Sequence, residues 1–205
     1  MTPHAHPARL ILASRSPRRL ALLAQVGFAP DAQIPSDVEE TPRRGELPRA
    51  LALRLAEEKA RKIGAQSGAQ SDGPAVVLAA DTVVALGRRV IPAPANEAEA
   101  RAGLRLLSGR RHRVYGGVAV LGTDGRMRAR VVETHIAFKR LEAREIEDYL
   151  RIEEWRGVAG GYAIQGRAAA FARWIRGSYS NVVGLPLFET VALLRAAGIA
   201  PKESP

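Results

Sequence analysis

A serine- and arginine-rich segment near the N-terminus has the residue types of an anion-binding site. Ser14, Ser16, Arg18 and Arg19 lie between a short apolar run and a longer apolar stretch. Hydroxyl groups, the free backbone N–H groups of a helix N-terminus and two guanidinium groups together bind an anion such as phosphate. Two arginines in a first helical turn oppose the helix dipole unless an anion lies there. A capped surface helix with solvated arginines fits the same residues, so local physics leaves both interpretations open.

Carboxylates in two other segments have the chemistry of a divalent-metal site. Asp81 interrupts an apolar run at 75–86, and a carboxylate there is costly to desolvate unless it is paired, hydrogen-bonded or bound to metal. We expect it at the carboxyl end of a strand, where open α/β sheets place their ligands. With Glu39 and Glu40 from a polar segment it would offer the hard oxygen donors that Mg²⁺ and Mn²⁺ prefer. The alternative is that Asp81 caps a turn and both glutamates are solvated.

Two further polar side chains are weaker candidates. Lys59 is the cation near the end of a predicted helix that would point inward, although helix geometry alone favours a solvated or snorkelling side chain. Gln165 lies in a glycine-rich loop, where its amide would donate to and accept from a base edge. The chain contains neither a P-loop nor a nucleophile-elbow motif. The histidines lack metal-site spacing and are interpreted as structural: His4, His6, His112 and His135.

The pattern of apolar residues and turn signals predicts a mixed α/β fold with at least one antiparallel segment. Ser16 is the expected N-cap of the first helix, followed by Pro17 at its first position, and Asn96 is the expected N-cap of the third helix. Gly64 is expected to end the second helix. The predicted strands are 9–13, 75–86, 90–91, 113–121, 127–138 and 168–175. The predicted helices are 17–26, 48–63, 96–107, 142–150 and 186–197. The predicted loops and turns are 30–46, 66–74, 87–89, 122–125, 157–166 and 177–181.

Composition limits the class of protein. The 205 residues fit one α/β domain or two small lobes sharing a sheet. The chain has no cysteine, which excludes disulfides and thiolate chemistry. Segment 1–7 does not have the pattern of a signal peptide, and run 75–86 is shorter than the ~20 residues that cross a bilayer. We therefore expect a cytoplasmic protein. The net charge of +10 favours anionic partners, although an Ala-, Arg- and Gly-rich composition typical of GC-rich coding explains it equally well.

The motifs together resemble the Maf family of nucleotide pyrophosphatases, from about residue 10 to residue 197. No single motif is specific, but their order and spacing are. The resemblance implies an elongated, twisted central sheet flanked by helices, with two lobes and a cleft between them, similar to the inosine triphosphate pyrophosphatases. The matching segments read LASRSPRR (12–19), DVEET (37–41), EKA (58–60), ADTVV (80–84), GGYAIQG (160–166), GSY (177–179) and VVGLPL (182–187).

The resemblance also implies an activity and roles for individual residues. The family hydrolyses nucleoside triphosphates to the monophosphate and pyrophosphate, and we expect metal-assisted attack of water on the α-phosphorus, with Mg²⁺ or Mn²⁺. Asp81 matches the proton acceptor and, with Glu40, the metal-site carboxylates. The phosphate-binding positions are Ser14, Arg19 and Lys59, with Ser16 beside them. Arg18, Thr82 and Gln165 match the branch that acts on dTTP and UTP.

Two departures from the family pattern remove cations. Ala93 and Val158 stand where the pattern has lysines, and each loss would cost on the order of 1.5–3 kcal/mol if the lysine contacts phosphate. Arg88, Arg89 and Arg156 are the candidates to replace them.

Other functions and the organisation of the chain stay open at this point. One alternative is a weakly active or inactive member that binds nucleic acid or a cell-division partner; another is a pyrophosphatase for modified purine nucleotides. With aromatic residues at 5%, we expect no nucleic-acid partner, and no membrane partner. The resemblance implies a homodimer. We expect tails at 1–8 and 200–205 around one domain at 9–199.

Overall fold

The structure is a computed structural model that describes residues 8–68 and 73–202. His4 and His6, almost all of the predicted tail 1–8, residues 69–72 of the predicted loop and residues 203–205 of the predicted C-terminal tail lie outside the described residues. No helix in the described part of the chain combines the length and the apolar character needed to cross a membrane.

Within these residues, seven strands form a mixed sheet, which confirms the predicted mixed α/β class. The order along the sheet is β2-β1-β3-β5-β6-β7, and β4 also pairs with β3. β1 runs parallel to β2 and β3, whereas the other pairs are antiparallel. The strands are β1 (Arg9–Leu12), β2 (Ala32–Gln33), β3 (Ala75–Leu86), β4 (Arg89–Ile91), β5 (Arg111–Leu121), β6 (Met127–Phe138) and β7 (Ala172–Arg176).

Two of the helices begin at capping side chains that the sequence supplies. Ser16 Oγ accepts a hydrogen bond from the backbone N–H of Arg19 at 3.4 Å, and Asn96 Oδ1 accepts one from Glu99 at 2.9 Å. Both N-caps were predicted from the sequence, and both are confirmed. The helices are α1 (Pro17–Gln25), α2 (Pro48–Gly68), α3 (Glu97–Leu107), α4 (Ala143–Arg151), α5 (Tyr179–Val183) and α6 (Leu187–Ala196).

The helices cover both faces of the sheet. α2 lies on one face, where its Ala56 and Ile63 pack against alternate residues of β3 such as Val77. On the opposite face Leu23 of α1 and Leu194 of α6 pack against the other set of β3 residues.

A further cluster joins α3 and α4 to β5 and β6 through Leu104, Ile146, Trp155 and Phe138. The predicted division into two lobes stays a prediction.

Gly64 does not end α2, which contradicts the predicted helix 48–63. The helix continues to Gly68, so positions 66–68 of the predicted loop are helical. A Cβ at Gly64 would lie 2.3 Å from Leu121 Cδ2, so the missing side chain serves close packing of α2 against the end of β5. A glycine that allows close packing has the same sequence signal as a glycine that ends a helix.

Three other elements differ from the sequence-based expectations. The predicted strand 168–175 begins as a 3-10 helix (Arg167–Phe171), and β7 starts only at Ala172. Ala168 and Phe171 are buried in this turn, so apolar residues there fill the core without extending the sheet. The predicted turn 177–181 contains α5, capped by Ser178. Within the predicted polar loop 30–46, two residues pair with β1 as β2.

Candidate active site

A gap in strand pairing opens one edge of β3. β1 pairs with β3 only as far as Leu78, and β4 joins the same edge only from Val84. Among the described strands, none pairs with 79–83 on this edge, although β5 covers the other edge throughout. Asp81 lies in the gap, in the middle of β3. The expectation that it ends the strand was wrong, because β3 continues past the end of β1 to pair with β4 and β5.

The face of β3 that α2 covers carries a buried ion pair. Asp81 lies on the same side of the strand as Val77 and Val83, which contact α2. Lys59 Nζ donates to Asp81 Oδ1 and to Glu40 Oε1, each at 2.6 Å. Lys59 and Asp81 are each only 7% exposed. The lysine therefore points inward and binds two carboxylates from different segments. Helix geometry alone had favoured a solvated side chain.

The opposite face of β3 holds an arginine from the first turn of α1. Arg19 Nε donates to the carbonyl of Gly184 at 2.9 Å, Nη1 to Ser14 Oγ at 3.1 Å and Nη2 to Thr82 Oγ1 at 3.2 Å. Desolvation lowers the pKa of Arg19, and the nearby charge of Asp81 opposes that shift. Ser14 Oγ also accepts from the backbone N–H of Ser16 at 3.1 Å. The guanidinium is fixed by uncharged oxygens and faces the carboxylate pair.

Both groups open into a common space. A cavity of about 300 Å³ has Arg19, Lys59, Asp81 and Thr82 in its wall. An adjoining hollow of about 510 Å³ shares Arg19 and Lys59 with it and adds Ser14. Ser16, Arg18 and Glu40 line both spaces. Residues of the predicted anion-binding segment and of the predicted carboxylate site therefore line the same 300 Å³ cavity.

Arg18 connects α1 to the glycine-rich segment that follows α4. Its Nη2 donates to the carbonyl of Gly157 at 3.3 Å. Burial lowers the pKa of Arg18, and Tyr149 opposes the shift. Val158 and Ala93 both line the 300 Å³ cavity, so the positions at which the sequence lacks the expected lysines face the site without a charge.

Some predicted site residues lie elsewhere. Glu39 is exposed and accepts from the backbone N–H of Thr41 at 3.0 Å. Gln165 is exposed in a turn and is not among the residues that line either space, so its role stays a prediction. Residues 8–68 and 73–202 contain no cluster of three or more histidine and acidic side chains that would hold a metal ion.

The two described histidines bind neighbouring side chains, in line with their structural interpretation. His112 is buried, and its Nε2 lies 2.8 Å from the hydroxyl of Tyr162, which lines the 300 Å³ cavity. Burial lowers the pKa of His112 to about 4 and raises the pKa of Tyr162 well above its usual value. His135 Nε2 lies 2.7 Å from Glu133 Oε1.

Sequence reasoning missed the backbone and aromatic parts of the site. The Gly184 carbonyl orients Arg19, and Gly184 has a φ of 141°. Gly184 lies within the segment 182–187 that carried the family resemblance, but no side chain signals where its carbonyl points. Tyr162 follows two glycines with positive φ, Gly160 and Gly161, and this glycine pair was the available signal that a side chain next to it approaches the site.

Comparison with known proteins shows the family of this chain. The family model described as Maf-like protein matches residues 9–197. A protein named dTTP/UTP pyrophosphatase from Rhodospirillum rubrum is 55% identical, and the match covers 94% of this chain and 89% of the relative. Proteins of the same name from Mesorhizobium japonicum and Caulobacter vibrioides are 52% and 53% identical, with matches covering 96% of this chain and 95% and 99% of the relatives. The chain belongs to the family of Maf-like proteins.

Proposed function

We propose that this protein is a nucleoside triphosphate pyrophosphatase that hydrolyses dTTP and UTP to the monophosphate and pyrophosphate. The names of relatives at 52–55% identity support this substrate class. The observation that carries the proposal is the arrangement of Lys59, Asp81 and Arg19 around the 300 Å³ cavity. A carboxylate and two fixed cations in one cleft suit hydrolysis of a phosphoanhydride.

The cations bind and orient the phosphate chain in this proposal. Arg19 is held by three oxygens, so its guanidinium does not need to reorganise when substrate enters, whereas Lys59 in this structure contacts two carboxylates. Preorganised charges stabilise the negative charge that shifts during phosphoryl transfer. Ser14 and Ser16 place hydroxyl and backbone groups at the N-terminus of α1, where a phosphate is favoured.

Asp81 is the proton acceptor in this proposal. Lys59 contacts Oδ1, and within the described residues no group donates to Oδ2. That oxygen is therefore available to take a proton from a water molecule in the cavity. The water oxygen bonds to the α-phosphorus, the bond from that phosphorus to the bridging oxygen of the β-phosphate breaks, and pyrophosphate leaves with the electron pair. No covalent intermediate with the protein is required.

The acidic residues present fit a divalent cation, which we propose to be Mg²⁺ or Mn²⁺. Asp81 and Glu40 already place one oxygen each 2.6 Å from the same ammonium, so their oxygens converge on a single positive charge. A protein that supplies two carboxylates suits Mg²⁺, which keeps several waters and takes its other oxygens from substrate phosphates. When bound, such a cation neutralises charge on the phosphate oxygens.

A panel of nucleotides tests the proposed function. The protein is incubated with Mg²⁺ or Mn²⁺ and each of the common and modified nucleoside triphosphates, and pyrophosphate release is measured. We expect turnover of dTTP and UTP. Turnover restricted to modified purine nucleotides would support the alternative house-cleaning activity, and no turnover of any nucleotide would support a binding protein. Reaction in ¹⁸O-labelled water then locates the attack, because attack on the α-phosphorus places the label in the monophosphate.

The base preference, the location and the oligomeric state are finer parts of the proposal. We propose that Arg18, Thr82 and Gln165 contribute to the preference for dTTP and UTP; for Arg18 and Thr82, their place in the cavity wall supports this. We also propose a cytoplasmic location, with which the absence of cysteine is compatible. The homodimer rests on the family resemblance, and sedimentation at several protein concentrations tests it.

A further inference from the structure

Arg156 is a cation at the candidate site that the proposed mechanism does not use. It follows Trp155 in the turn after α4 and lines the 510 Å³ hollow together with Ser14, Arg19 and Lys59. The other two arginines considered as replacements for the missing lysines lie differently. Arg89 lines a separate cavity, between β4 and α3, and Arg88 is exposed in the turn between β3 and β4.

The structure holds the Arg156 side chain in a defined position. Its guanidinium carbon lies 4.6 Å from the centre of the Trp155 ring. That indole is buried and fixed, because its Nε1 donates to the carbonyl of Leu150 at 3.1 Å. On the other side, Arg156 Nη2 donates to Glu153 Oε1 at 2.6 Å. An arginine stacked on a fixed ring and bound to one carboxylate has lost much of its conformational freedom before any ligand arrives.

The backbone around Arg156 is also unusual. Glu153 has a φ of 58°, and it is the one non-glycine residue with positive φ in the part of the chain that the structure describes. This conformation is costly for a residue with a Cβ, and such residues cluster at ligand sites. Gly157, on the other side of Arg156, also has a positive φ, of 63°. Two left-handed positions thus turn the chain so that Arg156 lies in the wall of the hollow.

The charges around the hollow are too few to exclude a role for one more cationic side chain in binding phosphate. Lys59 is shared between two carboxylates, and in the adjoining 300 Å³ cavity neither Ala93 nor Val158 brings a charge. Arg18 reaches the carbonyl of Gly157, so the N-terminal turn of α1 and the segment carrying Arg156 meet beside the hollow. A phosphate chain held by α1 would therefore have Arg156 close to it.

We propose that Arg156 is a further substrate-binding residue, which contacts the phosphate chain from the wall beside the first turn of α1. The inference rests on the proposed function, since it takes a nucleoside triphosphate as the ligand. A guanidinium has five N–H donors, and among contacts with residues 8–68 and 73–202 only Nη2 of Arg156 donates, to Glu153. The remaining donors are free to bind phosphate oxygens while Glu153 and Trp155 keep the group in place.

Calorimetric titration with inorganic tripolyphosphate tests this inference without a base or turnover. The protein is compared with Arg156→Ala, with Arg156→Lys and with Arg151→Ala as a matched control. Arg151 is the last residue of α4, shortly before Arg156 in the chain. It forms the same kind of pair, with Asp148 at 2.6 Å, and it is not among the residues that line the hollow. We expect Arg156→Ala to weaken binding by about tenfold or more, as for loss of a charged hydrogen bond. The affinity of Arg156→Lys for tripolyphosphate should lie between those of Arg156→Ala and the unsubstituted protein. Arg151→Ala should bind as the unsubstituted protein does.

Kinetics add a second readout. Arg156→Ala should raise KM for dTTP and UTP by a similar factor and change kcat little, since the contact is to phosphate and not to the base. Equal tripolyphosphate affinity in Arg156→Ala and Arg151→Ala would overturn the inference, and so would a lack of binding by the unsubstituted protein. If tripolyphosphate binds with the expected ranking but no nucleotide is hydrolysed, the proposed function fails while the phosphate site stands.

Discussion

Asp81 and Thr82 are consecutive residues of β3, yet they contact cations on opposite faces of the sheet. Asp81 Oδ1 lies 2.6 Å from Lys59 Nζ on the α2 face, and Thr82 Oγ1 accepts from Arg19 Nη2 at 3.2 Å on the α1 face. Because neighbouring residues of a strand alternate between faces, this dipeptide joins two helices that lie far apart in sequence. The unpaired edge of β3 lets both contacts open into one cavity.

Replacing Lys59 by Met should destabilise the fold. The change leaves Asp81 buried without its cation, and breaking a buried ion pair from one side costs about 3–5 kcal/mol. Chemical denaturation at neutral pH measures the free energy of unfolding. Lys62→Met is the control, because Lys62 is exposed on the same helix and bonds only to the Asp37 carbonyl. Equal losses in the two variants would show that the ion pair does not stabilise α2 on the sheet.

Replacing Arg19 by Lys should reduce catalysis more than stability. A lysine keeps the charge but cannot donate to Gly184, Ser14 and Thr82 in the planar geometry of a guanidinium. We expect kcat/KM for dTTP to fall by about two orders of magnitude, as for the loss of one or more charged hydrogen bonds. Arg61→Lys, on the exposed side of α2, should have no effect on kcat/KM. Unchanged kinetics of Arg19→Lys would mean that charge alone suffices at this position.

His112 should make the protein less stable as the pH falls below neutrality. The folded pKa of His112 is lowered to about 4 from 6.5 by burial, so between these values the unfolded chain binds a proton that the folded chain does not. Stability from this group is present above pH 6.5 and is lost as the pH falls toward 4, by about 2 kcal/mol at pH 5. Denaturation of the unsubstituted protein and His112→Gln at pH 7 and pH 5 isolates this contribution. Parallel losses in both proteins would contradict it.

Gly117→Ala should loosen α2, the helix that carries Lys59. A Cβ at Gly117 would lie 2.0 Å from the backbone oxygen of Ala52, and backbone atoms cannot rotate away. We expect a loss of about 2 kcal/mol or more in the free energy of unfolding, together with lower activity. Gly103→Ala in α3 is the control, because the atoms nearest to a Cβ at Gly103 would lie 3.8 Å away, at ordinary contact distance; it should keep or slightly raise stability. A Gly117→Ala protein as stable as Gly103→Ala would contradict the packing argument.

The sequence could identify the polar residues of the site more readily than their surroundings. Lys59 shows the reason, because helix geometry alone favoured a solvated side chain, and only the order of motifs along the chain favoured an inward one. The structure brings Ser14, Arg19, Lys59 and Asp81 to two adjoining spaces that share Arg19 and Lys59, whereas their catalytic and binding roles stay predictions. The carbonyl of Gly184 was not predictable, since nothing in the identity of a glycine tells where its backbone oxygen points.

In the fold, too, elements that depend on local side chains were easier to predict from the sequence than elements that depend on distant contacts. The N-cap at Asn96 and the long apolar strand that carries Asp81 follow from local side-chain chemistry. The glycine at position 64 of α2 makes room for Leu121, a residue far away in sequence, so it does not mark the end of the helix. The short strand β2 depends on pairing with β1. Both are tertiary effects, which hydrophobic periodicity and capping residues do not encode.

Pyrophosphate release from dTTP by Asp81→Asn is the measurement that tests the site most directly. The amide has nearly the same shape and can still accept a hydrogen bond from Lys59, but it cannot take a proton from water. We predict that turnover with Mg²⁺ falls about a thousandfold, within the range for loss of a general base, while affinity for a non-hydrolysable dTTP analogue changes little. An Asp81→Asn protein that releases pyrophosphate at close to the unsubstituted rate would contradict the account.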